Sequence, residues 1–278
     1  MKEFFKTLLL YFLIKQPKYD KSDAKIVSFS NDYIGNSINV YGIYEKYYKE
    51  AIKKYFSPAT YNHMLDIGAN IGNHTFFLRN TFENISCFEI NKLVIPILNY
   101  NVGGYKNIKI HEFGLSDSEN EFNIIYDESN IGGAQISSSS IPNDNPIAKV
   151  FEYDKLNFKK DVSFIKIDVE GHELKALNGM RKIINKCKPI IAFEFNNIIH
   201  SEENLKLIEF FKEFEYKFYT IDYVSFESSK SGYLLWLLKK SIGIKEKIFE
   251  IDPIKQKKMF NMIFAVNNNS QNKINFNI

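Results

Sequence analysis

A chain of 278 residues that is 45% hydrophobic and 15% aromatic holds enough apolar surface for one substantial core, which excludes disorder over most of its length. Its 36 basic and 33 acidic side chains leave a formal charge of +3, with lysines too scattered to argue for a nucleic-acid partner. The two cysteines, Cys87 and Cys187, lie in apolar stretches without metal-ligand spacing and read as small core residues of a protein from a reducing compartment.

Residues 4–14 are strongly apolar but too short to span a bilayer, and no small-residue cleavage site precedes Pro17. They read as a packed amphipathic helix, with a peripheral foothold on the inner membrane as the competing reading. The expected location is the cytoplasm. Residues 24–29 read as a short strand and residues 31–39 as turns. The spacing of Tyr44, Tyr47, Tyr48, Ile52 and Phe56 predicts a helix over residues 44–56. Glu45 near its start is either a favourable first-turn acid or a cofactor contact.

The organising stretch is residues 64–75, MLDIGANIGNHT. A buried strand over 63–67 carries Asp66 near its end, Gly68 turns the chain, Asn70 tolerates the turn, and Gly72 lets the next helix start close to a crevice. Asn73 and Thr75 are candidate caps of that helix, whose exposed amides favour a carboxylate or phosphate. Gly68 and Gly72 lack a middle glycine, so a nucleoside or mononucleotide is expected rather than a dinucleotide. The next strand, 85–88, delivers Glu89 to the same edge, where a carboxylate can accept from both hydroxyls of a ribose.

A helix over 92–100 and a strand over 107–113 follow, and the strand leads to Ser116 and Asp117. These residues contact an adenine or cap a turn. Residues 121–153 read as an inserted hairpin around a polar segment. The strand over 162–167 runs into Asp168, Glu170 and His172, then a helix over 174–187. Were that end extended, the three side chains would share a side, although Gly171 can break the alternation. A strand over 189–193 presents Glu194 and Asn196. A helix over 203–214 and strands over 216–221 and 262–266 complete an open α/β sheet with antiparallel additions. The apolar stretch around Trp236 covers the core, shapes an acceptor pocket or pairs with a second copy in a homodimer.

The segments LDIGANIGNHT, CFEINK, EFGLSD, FIKIDVEGHELKALNG and AFEFN together resemble the FkbM-type S-adenosylmethionine-dependent methyltransferases over residues 42–196. That resemblance implies a Rossmann-like methyltransferase fold with a central seven-strand, mostly parallel sheet over residues 61–278, behind amino-terminal helices over 1–60. It implies a donor pocket shaped by Asp66, Gly68, Asn70 and Gly72, Glu89 on the donor ribose and Ser116 and Asp117 near adenine. It brings Asp168, Glu170 and His172 to the methyl-transfer face. His172 is the first candidate for general base, a carboxylate of Asp168 or Glu170 the alternative, and Asp168 is also a candidate donor contact. Glu194 and Asn196 are candidate acceptor contacts. A divalent metal is not favoured, because three neighbouring residue names do not establish coordination. The expected reaction is methylation of a hydroxyl oxygen, first on a sugar of a cell-surface glycan or its nucleotide-activated precursor. A small hydroxylated metabolite, a lipid-linked natural product and a noncatalytic nucleoside-binding scaffold are the alternatives.

Overall fold

The computed structural model describes residues 26–29, 33–41, 43–56, 62–127, 130–137, 147–198, 201–221 and 248–267. The readings of residues 4–14, of the stretch around Trp236 and of the tail beyond Asn267 lie outside these.

Strand β1 (His63–Ile67) is buried at all five positions because both faces of its sheet are covered. It pairs in parallel with β2 (Asn84–Phe88) and with β8 (Phe164–Ile167). Parallel pairing continues outward to β3 (Ile108–His111) on one side and β9 (Ile190–Asn196) on the other. β12 (Met259–Asn267), β10 (Tyr216–Ile221) and β11 (Ile248–Ile251) then add antiparallel. The order is β11-β10-β12-β9-β8-β1-β2-β3. Among the described residues the sheet therefore has eight strands where seven were expected. The additional edge strand is β11, which lies outside β10 and buries Ile248 on one face of the sheet and Ile251 on the other.

Alternation along the strands splits the core in two. Met64, Cys87, Phe164 and Phe264 face one side, where Ile52 of α2 (Lys46–Tyr55), Phe76 of α3 (Asn73–Leu78) and Leu98 of α4 (Ile95–Val102) pack on them. Leu65, Ile67, Ile165 and Phe193 face the other side. There they meet Leu177 of α5 (Glu173–Asn178), Ile184 of α6 (Arg181–Cys187) and Phe211 of α7 (Glu202–Glu213). Each such fully buried side chain is worth about 1.5–3 kcal/mol. Helix α1 (Tyr33–Tyr41) stands where turns were expected and buries Ile38.

Other local expectations shift for tertiary reasons. Residues 26–29 form no strand; the Val27 amide and carbonyl instead pair with the Asn101 side chain at 2.8 and 2.9 Å. The helix expected over 174–187 breaks into α5 and α6 at Gly179, where an added Cβ would lie 1.9 Å from Ser116 O. Asp154 accepts from the amides of Lys182 and Ile183 and restarts the chain as α6. Cys187 is only half-buried, unlike Cys87, and both are free.

The insertion is a second sheet, ordered β4-β7-β5-β6, with β4 Gly114–Leu115, β5 Asn120–Asp127, β6 Asn130–Ser137 and β7 Ile147–Phe151. β7 is the returning strand of the expected hairpin, and β6 is a further one. In the main sheet the direction of winding reverses between β1 and β8. Ligand sites in open α/β sheets form beyond the carboxyl ends of the strands at that point.

Candidate active site

At the end of β1 the chain leaves the sheet through two left-handed residues, Gly68 (φ 75°) and Asn70 (φ 52°). A Cβ at Gly68 would stand 1.8 Å from Asp168 O, so the glycine is needed for the turn to lie against the end of β8. Gly72, at φ 83°, starts α3. Neither Asn73 nor Thr75 caps that helix. Asn73 donates to Tyr44 O at 3.3 Å, and Thr75 Oγ1 donates to Asp66 Oδ2 at 2.6 Å.

Asp66 is wholly buried, so it ties the turn together from beneath. Its other oxygen lies 3.7 Å from Lys166 Nζ. Lys166 donates to Gly68 O at 2.8 Å and pairs with Asp168 Oδ2 at 3.3 Å. Burial by itself would lower the lysine's pKa, but the carboxylates of Asp168, Asp66 and Glu45 together hold it above the ordinary value. Lys166 thus links the ends of β1 and β8, and it is absent from the residues singled out by sequence. A lone lysine between Ile165 and Ile167 in an otherwise apolar strand was the available signal.

Glu89 closes the neighbouring strand. Its Oε2 accepts from the Asn70 amide at 2.7 Å, and its Oε1 accepts from the Ile90 and Asn91 amides at 2.8 Å each. Burial raises its pKa, and the three amides oppose the rise. A carboxylate has about four lone-pair sites. Those three amide bonds fill Oε1 and leave one acceptor position on Oε2, beside the glycine turn.

Glu45, in a left-handed conformation at φ 54°, enters from the residue before α2. Its Oε2 lies 3.0 Å from His74 Nε2, off the line of a hydrogen bond. Lys49, also wholly buried, donates to Tyr44 O. Burial lowers the Lys49 pKa to about 7 against the pull of Glu45, and raises that of Glu45. This cluster under the site was not foreseen, because only the packing of α2 on α3 brings Lys49 and His74 together.

The three catalytic candidates do not converge on one extended face. Glu170 (φ 51°) and Gly171 (φ 91°) both take left-handed conformations, and Glu173 Oε1 holds the turn through the amides of Val169 and Gly171 at 3.1 and 3.2 Å. Asp168, with 44% of its side chain exposed, turns to Lys166. His172 turns to the insertion, with Nε2 at 2.9 Å from Ser116 Oγ and its ring edge-on to Phe122. Ser116 is buried and donates to Asp117 Oδ1 at 3.3 Å. Ser116 engages Nε2, which leaves Nδ1 as the ring nitrogen open to another proton partner. Burial and Lys175 lower the His172 pKa while Asp117 opposes them, which favours the neutral ring.

Glu194 follows the Ile167–Phe193 pair, so β9 carries it beside Asp168. It is solvent-accessible, yet desolvation and the charges of Asp168, Glu170, Glu45 and Glu173 raise its pKa to about 8. Asn196 lies apart, its Oδ1 accepting from the Ile198 amide at 3.1 Å. Both residues are within β9 rather than beyond it, since pairing with β12 extends the strand. Among the described residues no group of three His, Cys, Asp or Glu could hold a metal ion. Nor is any described helix long and apolar enough to cross a membrane.

A topological switch carrying a glycine turn, a strand-end acid and a polar cleft is the layout of an α/β enzyme for a nucleoside-bearing ligand. Residues 66–218, more than half of the chain, match the family model described as the methyltransferase FkbM domain, and the chain belongs to that family. No curated protein sequence matches the chain.

Among solved structures, methyltransferase FkbM from Methylobacillus flagellatus is 21% identical, with 70% of this chain and 52% of that one covered at a TM-score of 0.42. The chain therefore spans about half the length of that protein. An rRNA methylase from Streptococcus thermophilus is 9% identical, with 80% and 95% covered and a TM-score of 0.43. A precorrin-8w decarboxylase from Methanobacterium thermoautotrophicum is 12% identical, with 80% and 88% covered and a TM-score of 0.42. Membership of the family rests on the sequence match, not on these distant likenesses.

Proposed function

We propose that the protein transfers a methyl group from S-adenosylmethionine to a hydroxyl oxygen on a sugar, in a cell-surface glycan or its activated precursor. The observation that carries this reading is the set of accessible carboxylates Asp168, Glu170 and Glu194 at the same sheet edge as Gly68 and Glu89. Such a mouth offers acceptors to a hydroxyl-rich molecule and repels a phosphodiester chain. By the same argument it favours the glycan over its charged nucleotide precursor.

The donor fits the residues present. The open position on Glu89 Oε2 suits a ribose hydroxyl, and the turn from Gly68 to Asn70 lies beside it. When bound, S-adenosylmethionine supplies a methyl group already activated by its sulfonium. The remaining work for the chain is alignment, exclusion of water and removal of one proton. Asp168, held by Lys166, accepts a hydrogen bond from an acceptor hydroxyl and fixes its direction. Glu194, protonated below about pH 8, can donate to one sugar oxygen and accept at its other carboxyl oxygen. His172 Nδ1 takes the proton of the reacting hydroxyl.

The test is mass-resolved transfer from isotopically labelled S-adenosylmethionine to a panel of glycans and sugar nucleotides. A labelled sugar with stoichiometric demethylated donor is expected, and fragmentation locates the methyl group. Donor binding with label found only in non-carbohydrate acceptors overturns the sugar assignment. His172→Gln should bind donor normally and slow single-turnover transfer by about 10²-fold or more. Transfer at the wild-type rate removes His172 as the base.

A further inference from the structure

At the opposite edge of the sheet, where β1, β2 and β3 begin, lies a groove of about 410 Å³. That is within the size range of small-molecule sites, roughly 300–1,000 Å³. Four lysines line it from two separate parts of the chain, Lys106 and Lys109 at β3 and Lys159 and Lys160 in the loop before β8. Among the described residues no carboxylate lines it. Among the described residues, Lys106, Lys109 and Lys159 take part in no ion pair, and Lys160 donates to Asn84 Oδ1. Folding thus gathers like charges around one concavity without compensating them, at a cost in mutual repulsion.

A second observation comes from His63 on the same wall. It is only 4% exposed, its Nε2 lies 2.9 Å from Ser86 Oγ, and its Nδ1 has no hydrogen-bond partner. Buried polar atoms of this kind are normally satisfied, so an unpartnered one on the groove wall calls for an explanation, and a bound group is one that the lysines favour. Phe158 supplies the remaining feature. It stacks on Tyr153 with ring centroids 5.1 Å apart, meets His111 and Phe88 edge to face, and leaves part of its apolar surface open to the groove.

We propose that this groove is a second binding site, for a phosphate group attached to a ring, as in a nucleoside diphosphate or a sugar phosphate. The lysines take the phosphate oxygens, and Phe158 takes the base or sugar. The site stands at the far end of the parallel strands from Gly68 and Glu89. Its occupation is independent of the donor pocket and rests on no assumption about the acceptor.

The experiment is calorimetric titration of the full chain with UDP and, separately, inorganic pyrophosphate, in the presence of saturating S-adenosylhomocysteine. Both should bind at about 0.05 M salt and weaken about tenfold or more at about 0.5 M, where charges are screened within a few ångströms. The Lys109→Gln/Lys160→Gln double variant should bind UDP about tenfold more weakly, with thermal melting no lower than that of wild type and S-adenosylhomocysteine affinity unchanged. Burial, with Lys160 and His111 nearby, lowers the His63 pKa to about 4, so a bound phosphate should raise it in an NMR titration. Tighter binding of UDP than of pyrophosphate supports the stacking surface, and equal binding supports a site for the phosphate alone. Absence of binding by either at low salt, or UDP affinity unaltered in the double variant, overturns the proposal. So does retention of a long polyanion such as heparin without either small ligand.

Discussion

Lys166→Met keeps the aliphatic stem in β8 and deletes the ammonium that joins the ends of β1 and β8. The cost falls mainly on Asp66. Its carboxylate is wholly buried, and Oδ1, 3.7 Å from Nζ, has no hydrogen-bond partner. At an effective dielectric of about 20, a charge pair at 3.7 Å is worth about 4 kcal/mol. Breaking a buried pair by removing one partner generally costs about 3–5 kcal/mol. Asp168 adds little, since water reaches it. Urea unfolding at pH 7 should show a loss of about 3 kcal/mol. Removing both charges in Lys166→Met/Asp66→Asn should recover part of that loss, because no buried carboxylate is then left unpaired.

The pH dependence follows from the raised pKa of Lys166. A cation with a raised folded-state value contributes fully below its unfolded value, and the contribution disappears as the pH climbs through the folded one. The deficit of the variant should therefore be constant from about pH 6 to 9 and shrink only in strong alkali. A loss below about 1 kcal/mol at pH 7 would refute the reasoning. So would a double variant as unstable as the sum of its two singles.

Thr75→Val removes the hydroxyl that donates to Asp66 Oδ2 at 2.6 Å, and should cost about 1–3 kcal/mol in the same unfolding assay. Gly68→Ala places a methyl group 1.8 Å from Asp168 O at φ 75°, so the turn must move. S-adenosylhomocysteine affinity should fall by at least about tenfold by calorimetry, beside a stability loss of about 1–3 kcal/mol. Glu194→Gln tests the crowding of carboxylates. A raised acid pKa means that the folded state holds more protons between the ordinary carboxylate value and about 8, so wild-type stability falls with rising pH across that window. The melting temperature of the variant, relative to wild type, should climb from pH 5 to 9, and a flat difference would mean that Glu194 titrates normally.

The parallel core was legible because strand burial and glycine turns leave local marks. His63–Ile67 and Phe164–Ile167 are apolar runs bounded by turn residues, and each ends near an acid. Local marks misled where a distant group intervened. Where the helix breaks, Gly179 leaves room for Ser116 O to lie against it, and Asn101 takes the place of a strand partner for Val27. At the site, spacing located the acids but not their partners. Alternation puts Asp168 on the side of Lys166, two residues before it, but the two left-handed residues after Val169 turn His172 away to Ser116, which no alternation rule conveys.

The chemistry on offer is written in the order of residues: a glycine turn, an acid at the end of the next strand, and a strand-end segment with two acids and a histidine. Those features depend on residues within a few positions of one another, where backbone sterics and side-chain period decide the outcome. Tertiary structure alone decided which charges meet. The Lys166 link between β1 and β8, the burial of Lys49 and His74 beneath Glu45, and the lysine groove at the opposite edge join residues far apart in the chain. Their energies come from desolvation and short-range pairing, which exist only once the sheet and helices have closed around them.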